Sequence, residues 1–232
     1  MNEPAAIVFL FDVDNTLLDN DAVYADIDRH LTQVFGAEAA RTYWAIYEDL
    51  RAELGYADYL GAVQKFRLVC GDEPRAQQLA AFLLDYNFAE RVYPGALDAI
   101  RHLSQFGPCV ALSDGDVVLQ PRKISVSGIA DAVEGRVLIY VHKERMLEDV
   151  SRRHPARHYV MVEDKLRVLD AMKRQWRDRL TTVFVRQGHY ATDPATRRKY
   201  PAAQIELAGI GELRTLQAQA FLSPMPSATA TE

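Results

Sequence analysis

The residues most able to do chemistry stand where apolar runs stop. Residues 7 to 19 read IVFLFDVDNTLLD, which puts Asp12 and Asp14 two residues apart at the end of a hydrophobic stretch. CVALSD ends at Ser113 and Asp114, YVMVED ends at Glu163 and Asp164, and LIYVH runs into Lys143. Carboxylates gathered together repel, so a cluster of them calls for a cation to offset the cost. Mg²⁺ suits such a cluster, because it takes a few carboxylate or carbonyl oxygens and keeps places for water and phosphate oxygens. Asp12, Asp164 or Glu163, and a backbone carbonyl near Asp14 can supply that set. A carboxylate beside such a metal can attack phosphorus and form an acyl phosphate. A second carboxylate two residues on can protonate the leaving oxygen and then activate water. Ser113 and the amides of Asp114 and Gly115 can hold the equatorial oxygens, and Lys143 can neutralise the remaining charge.

These groups converge only if the strands that carry them are parallel and adjacent. Ile7 to Phe11 is short, continuous and partly β-branched, as expected of a strand buried on both faces. CVALSD, AVEGRVLIYV, HYVMVED and TTVFVR read as further strands, separated by helical ALDAIRHLSQF, VVLQPRKISVSGI, KERMLEDVSRR and LRVLDAMKRQW. That alternation predicts a doubly wound parallel sheet, whose ligand site lies beyond the carboxyl ends of the strands. From Asp21 to Arg91 the character changes. Four helical segments, punctuated by Gly36, Gly55 and Gly71 to Pro74, follow one another without a strand and read as a bundle inserted after the first strand. The expected class is α/β, with a Rossmann-like three-layer core at 1–20 and 92–221, an α-helical insertion at 21–91, and a small, polar tail at 222–232 that reads as flexible.

The order of these motifs carries a family resemblance. FDVDNTLLD resembles the first motif of the haloacid dehalogenase-like (HAD) superfamily, Asp-x-Asp-x-Thr after an apolar strand. ALSDG resembles the second, Lys143 in VHKERML the third, and VEDKLRVLD the acidic fourth. The resemblance implies an Mg²⁺-dependent hydrolase in which Asp12 is the nucleophile. Asp14 is then the general acid/base and a carbonyl ligand of the metal, and Thr16 supports the loop. Ser113 binds phosphate, Lys143 pairs with the nucleophile and the phosphate, and Asp164 holds the metal, with Glu163 ligating directly or through water. It also makes the helical insertion a type 1 cap. Asp170, six residues after Asp164, departs from the usual spacing of the fourth motif. Dehalogenases of the superfamily lack an acid at the position of Asp14, so its presence implies phosphoryl chemistry. The expected enzyme is a phosphatase of small phosphorylated metabolites. A phosphomutase and a non-catalytic phosphate-binding regulator are the alternatives.

Other features narrow the reading. The 232 residues carry a net charge of −5, which gives no basic footprint for nucleic acid. Cys70 and Cys109 lack a paired spacing, as expected of free thiols in the cytoplasm. No stretch approaches the roughly 20 apolar residues that span a bilayer. Lys123 in LQPRKIS is a rival to Lys143 for the phosphate; otherwise it and Arg122 read as a solvated face or a secondary contact. Tyr43, Trp44, Tyr47, Tyr56 and Tyr59 concentrate in the insertion, either as its core or as a wall of the substrate pocket, where Arg51 and Lys65 could meet an anion. His154 and His158 are four apart, but Pro155 between them argues against a metal site. The sequence leaves the oligomeric state open.

Overall fold

The computed structural model describes residues 3–222. Six strands form one sheet: β1 (Ala5–Phe11), β2 (Cys109–Asp114), β3 (Val137–Tyr140), β4 (Ala156–Glu163), β5 (Leu180–Val185) and β6 (Ile205–Leu207). Their order is β3-β2-β1-β4-β5-β6, and every pairing is parallel. The winding reverses beside β1, which opens a crevice at the carboxyl ends of β1, β2 and β4. Alternate side chains of β1 explain its unbroken apolar run. Ile7, Phe9 and Phe11 enter one core cluster, whereas Val8 and Leu10 enter the cluster on the opposite face.

Between β1 and β2 lie α1 (Asn20–Phe35), α2 (Ala37–Leu54), α3 (Tyr59–Cys70) and α4 (Glu73–Leu84). Short acidic caps start three of them: Asp19 accepts from Ala22 N, Asp58 from Gly61 N and Asp72 from Arg75 N. Gly55 ends α2 in the left-handed region at φ 83°. The helices pack in sequence, α1 on α2, α2 on α3 and α3 on α4, around Tyr43, Phe66, Leu79 and Leu83. This is the helical cap. The layers of the core are completed by α5 (Ala96–Leu103), α6 (Leu119–Val126), α7 (Ile129–Ala132), α8 (Leu147–Arg153) and α9 (Leu166–Trp176), followed by α10 (Gly188–Thr192), α11 (Pro194–Lys199) and α12 (Ala218–Leu222).

Three segments differ from the sequence reading. The strand expected over AVEGRVLIYV is confined to Val137–Tyr140, because Glu134 and Gly135 turn the chain in the left-handed region at φ 53° and 73°. The helix expected from Lys143 begins as a short 3₁₀ turn, Lys143–Arg145, before α8. The segment carrying α10, α11 and β6 has no counterpart in the sequence reading, since its elements are too short for their periodicity to register. Most of the tail, 223–232, lies outside the described residues. Both cysteines are free thiols, and no described helix is long and apolar enough to cross a membrane.

Asp26 of α1 ties the cap to the segment that returns to the core. It accepts from Tyr86, from Arg91 Nε at 3.1 Å and from Arg29. Burial alone would raise its pKa, but these hydrogen bonds outweigh it and lower the carboxyl to about 2. A depressed pKa adds stability that is complete above the unfolded carboxylate range and drains away as pH falls through about 2. Urea denaturation at pH 7 should therefore find the parent more stable than Asp26→Asn, with the gap closing between pH 4 and pH 2. A gap that stays constant over that window would refute the assignment.

Candidate active site

The loop after β1 is wound so that its acids stay at the strand end. Asp12 N donates to Val162 O at 2.9 Å, which fixes the start of the loop to β4. Leu17 N and Leu18 N then both bond Val13 O. Asn15 takes the left-handed conformation at φ 62°, and its side chain compensates by accepting from Asn20 N and Asp21 N and donating to Asp21 Oδ1. Gly188 presses on this turn: a Cβ there would lie 2.5 Å from the Cβ of Asn15. Thr16 is fully buried, and its backbone carbonyl accepts from Gln187.

Asp12, Glu163 and Asp164 meet behind this loop, each offering a carboxylate oxygen within 4.8 Å of the others, and all three are buried. Lys143 crosses from beyond β3 to reach them. Its Nζ bonds Asp12 Oδ1 and Leu112 O, and forms an ion pair with Glu163 Oε2 at 2.7 Å. Glu163 is committed further, because its Oε1 accepts from Asp164 N and Lys165 N, each at 3.1 Å. Asp12 Oδ2, Glu163 Oε2 and both carboxylate oxygens of Asp164 are buried with no hydrogen-bond partner, and of these Glu163 Oε2 has the ion pair with Lys143. Burial and the charge of Glu163 raise the Asp12 carboxyl to about 6, despite Lys143. Asp164 is raised well above the carboxylate range, by burial first, with Glu163 and Asp12 adding to it against Lys165. Unpartnered oxygens on strongly raised acids fit a hard divalent cation, which would supply the missing charge. Asp12 and Asp164 are the side chains free to hold it, whereas Glu163 is occupied in orienting Lys143 and the following turn.

Asp14 points elsewhere. Its carboxylate lies on α6, where Lys123 Nζ approaches Oδ1 at 2.7 Å and Gln120 Nε2 donates to Oδ2 at 3.2 Å. Of the two lesser readings of Lys123, the solvated face is wrong and the secondary contact stands: the residue is 1% exposed, because α6 packs this side chain inward against the β1 loop. Arg122, on the outer side, is exposed and bonds Leu84 O. Ser113, one residue before the end of β2, lies beside this group and accepts from Gln120 Nε2 at 2.9 Å. The Gly115 amide, expected to be free for phosphate, instead donates to Tyr140 O at 3.0 Å as part of the β2–β3 register. Asp170 is ion-paired with Arg174, and His158 bonds Thr181 Oγ1.

A cavity of about 690 Å³ opens between these groups and the cap, with Asp14, Lys143 and Lys165 on its floor. The aromatic concentration in the cap divides in two. Tyr43 is core, fully buried and edge-on to Trp44 and Phe66, whereas Tyr47, Tyr56 and Tyr59 line the cavity. Arg51 lines it too and donates to the Tyr190 hydroxyl, so α2 and α10 meet across the opening. Lys65 is on the outside, paired with Glu53. The sequence reading missed Lys165, His189, Tyr190, Lys199 and Tyr200, all of which border the cavity. For Lys165 a signal was present, since it directly follows Asp164; the other four sit in or directly after the short elements that periodicity could not register.

A parallel sheet wound in this order, with buried acids at its switch point and a helical cap over them, defines a class of hydrolase. The chain belongs to the haloacid dehalogenase-like hydrolases, whose family model matches residues 8–175. Among solved structures, a haloacid dehalogenase-like hydrolase from Burkholderia xenovorans LB400 is 60% identical, with a TM-score of 0.88 over 93% of this chain and 100% of that one. More distant likenesses concern the fold alone. The L-2-haloacid dehalogenase from Xanthobacter autotrophicus with chloropropionic acid covalently bound is 17% identical, with a TM-score of 0.58 over 90% and 97% of the two chains. The HAD-hydrolase YfnB from Bacillus subtilis bound to magnesium is 18% identical, with a TM-score of 0.60 over 91% and 98%. No curated protein matches the chain in sequence.

Glu163→Gln keeps the shape of the side chain but cannot serve both sets of donors. With its oxygen toward the two amides, its NH₂ faces the Lys143 ammonium. In EDTA the variant should lose about 2–4 kcal/mol of stability in urea denaturation. Parent-like stability would mean that the Lys143–Glu163 pair does not hold the site together.

Proposed function

We propose that this protein is a cytoplasmic Mg²⁺-dependent phosphatase that hydrolyses a small phosphorylated metabolite through an aspartyl phosphate. The observation that carries the choice is Asp14, a carboxylate at the cavity floor two residues beyond the buried Asp12. A halide leaves as a weak base and needs no proton, so an acid here is needed only when the leaving group is an alkoxide. The cavity of about 690 Å³ lies within the range that suits small ligands. Free cysteines suit a reducing compartment.

In the proposed reaction a carboxylate oxygen of Asp12 attacks phosphorus, while Asp14, which enters the step protonated on one oxygen, gives that proton to the departing alkoxide oxygen. Asp14, now ionised, takes a proton from water, whose oxygen attacks the phosphorus of the aspartyl phosphate. That step releases inorganic phosphate and regenerates Asp12. Lys143 holds Asp12 in place and faces the transferring group, and Ser113 bonds one of its oxygens. Asp12 and Asp164, with the carbonyl of Asp14, would hold Mg²⁺, which supplies positive charge against the phosphoryl oxygens. The core is proposed to comprise 1–20 and 92–221 and the cap 21–91, which encloses the substrate and shuts out nucleic acid.

The test is phosphate release from a panel of small phosphoesters, in Mg²⁺ and in EDTA, with halide release from 2-chloropropionate measured in parallel. Phosphate release that needs Mg²⁺, and that falls at least about 10³-fold in folded Asp12→Asn, is the expected result. Halide release without phosphate release would replace this reading with dehalogenation. Transfer to a second substrate hydroxyl with little free phosphate would replace it with a phosphomutase.

A further inference from the structure

We propose that Lys123 and Gln120 are positioning residues that aim the Asp14 carboxylate at the leaving group; the inference rests on the phosphatase reading above. Lys123 is a fully buried cation, and such a charge needs a partner. Among the described residues, its one carboxylate partner is Asp14, at 2.7 Å; the Asn20 Oδ1 atom at 3.0 Å and the Phe88 ring at 5.7 Å complete its surroundings. Gln120, one helical turn earlier on the same side of α6, takes the other oxygen of Asp14. Two donors from one rigid element thus grip both carboxylate oxygens, which fixes the plane of the group as well as its position.

The remainder of the local structure is consistent with aiming. The Asp14 side chain keeps 23% of its surface exposed and borders the cavity, so its grip is on the inner side and its open side faces the substrate space. The Gln120 amide also donates to Ser113 Oγ, so one side chain sets the distance between the proposed acid and the proposed phosphate-binding hydroxyl. Gly115 makes this possible, because a Cβ there would stand 2.6 Å from Gln120 Cγ. Asn20, the third partner of Lys123, is the first residue of α1 and lines the cavity. Lys123 therefore joins α6, the catalytic loop and the start of the cap at one point.

A residue that aims a general acid matters in proportion to the proton the leaving group needs. p-Nitrophenolate leaves without one, whereas a sugar alkoxide does not. The value of kcat/KM reports formation of the aspartyl phosphate, the step in which that proton is given. Lys123→Met should lower kcat/KM for an alkyl phosphate by about 10- to 100-fold, and at least tenfold more than for p-nitrophenyl phosphate. The freed Asp14 carboxylate can reach cavity water, so the variant should fold. Gln120→Met, which leaves the ion pair intact, should give a smaller loss with the same bias, and Lys123→Arg should recover part of it. Equal losses on both substrates in Lys123→Met and Gln120→Met would overturn the proposal and leave a purely structural pair. If the parent itself releases no phosphate, the phosphatase reading falls separately. The crystal structure of Lys123→Met then decides the positioning: a displaced or divided Asp14 carboxylate supports it, and an unmoved one overturns it.

Discussion

Three buried carboxylates share the end of the β1–β4 crevice with the ammonium of Lys143. Their charges do not balance, and the surroundings are arranged around that imbalance. Glu163 is kept ionised by Lys143 and Lys165, which overcome the effect of burial. Asp12 and Asp164 absorb the deficit as raised pKa values. Three elements supply the cluster: β1 delivers Asp12, β4 delivers Glu163 and Asp164, and the 3₁₀ turn after β3 sends Lys143 across the sheet.

A second ion pair, with its lysine buried, is kept apart from the first. Asp14 is only two residues from Asp12, yet the turn at Asn15 and the inward face of α6 give it a private cation in Lys123. Separating the two acids onto two lysines stops them from competing for one charge. It also allows each to be oriented by a different element. The cost is two buried ammonium groups in one small region, which only close ion pairing makes tolerable.

The cap works by division of its aromatic residues. Tyr43, inside the bundle, donates to Tyr59 O and keeps α2 on α3, while Tyr47 and Tyr59 stack at 4.8 Å and line the cavity. Contacts at the rim then join cap to core: Arg51 with the Tyr190 hydroxyl, and Asp21 with the His189 ring at 2.6 Å.

The identity of β1 to β5, the helical insertion and the acids at strand ends were legible in the chain, because an apolar run that stops at a charge records both burial and an exit from the sheet. The order of the motifs was legible for the same reason. The motif resemblance already implied that Lys143 pairs with Asp12; what tertiary structure alone decided was where the other charges meet. Lys143 and Lys123 each follow a predicted strand or lie on a predicted helix, and spacing cannot say which side of α6 turns inward; packing against the β1 loop put Lys123 on Asp14. Nor can spacing say that Glu163 commits its oxygens to two amides and a lysine while Asp164, one residue on, has none of its own satisfied. The cavity wall from α10 to Tyr200 was hidden as well, since short elements hold their place through contacts with distant residues such as Asn15, Asp21 and Arg51 rather than through any periodicity of their own.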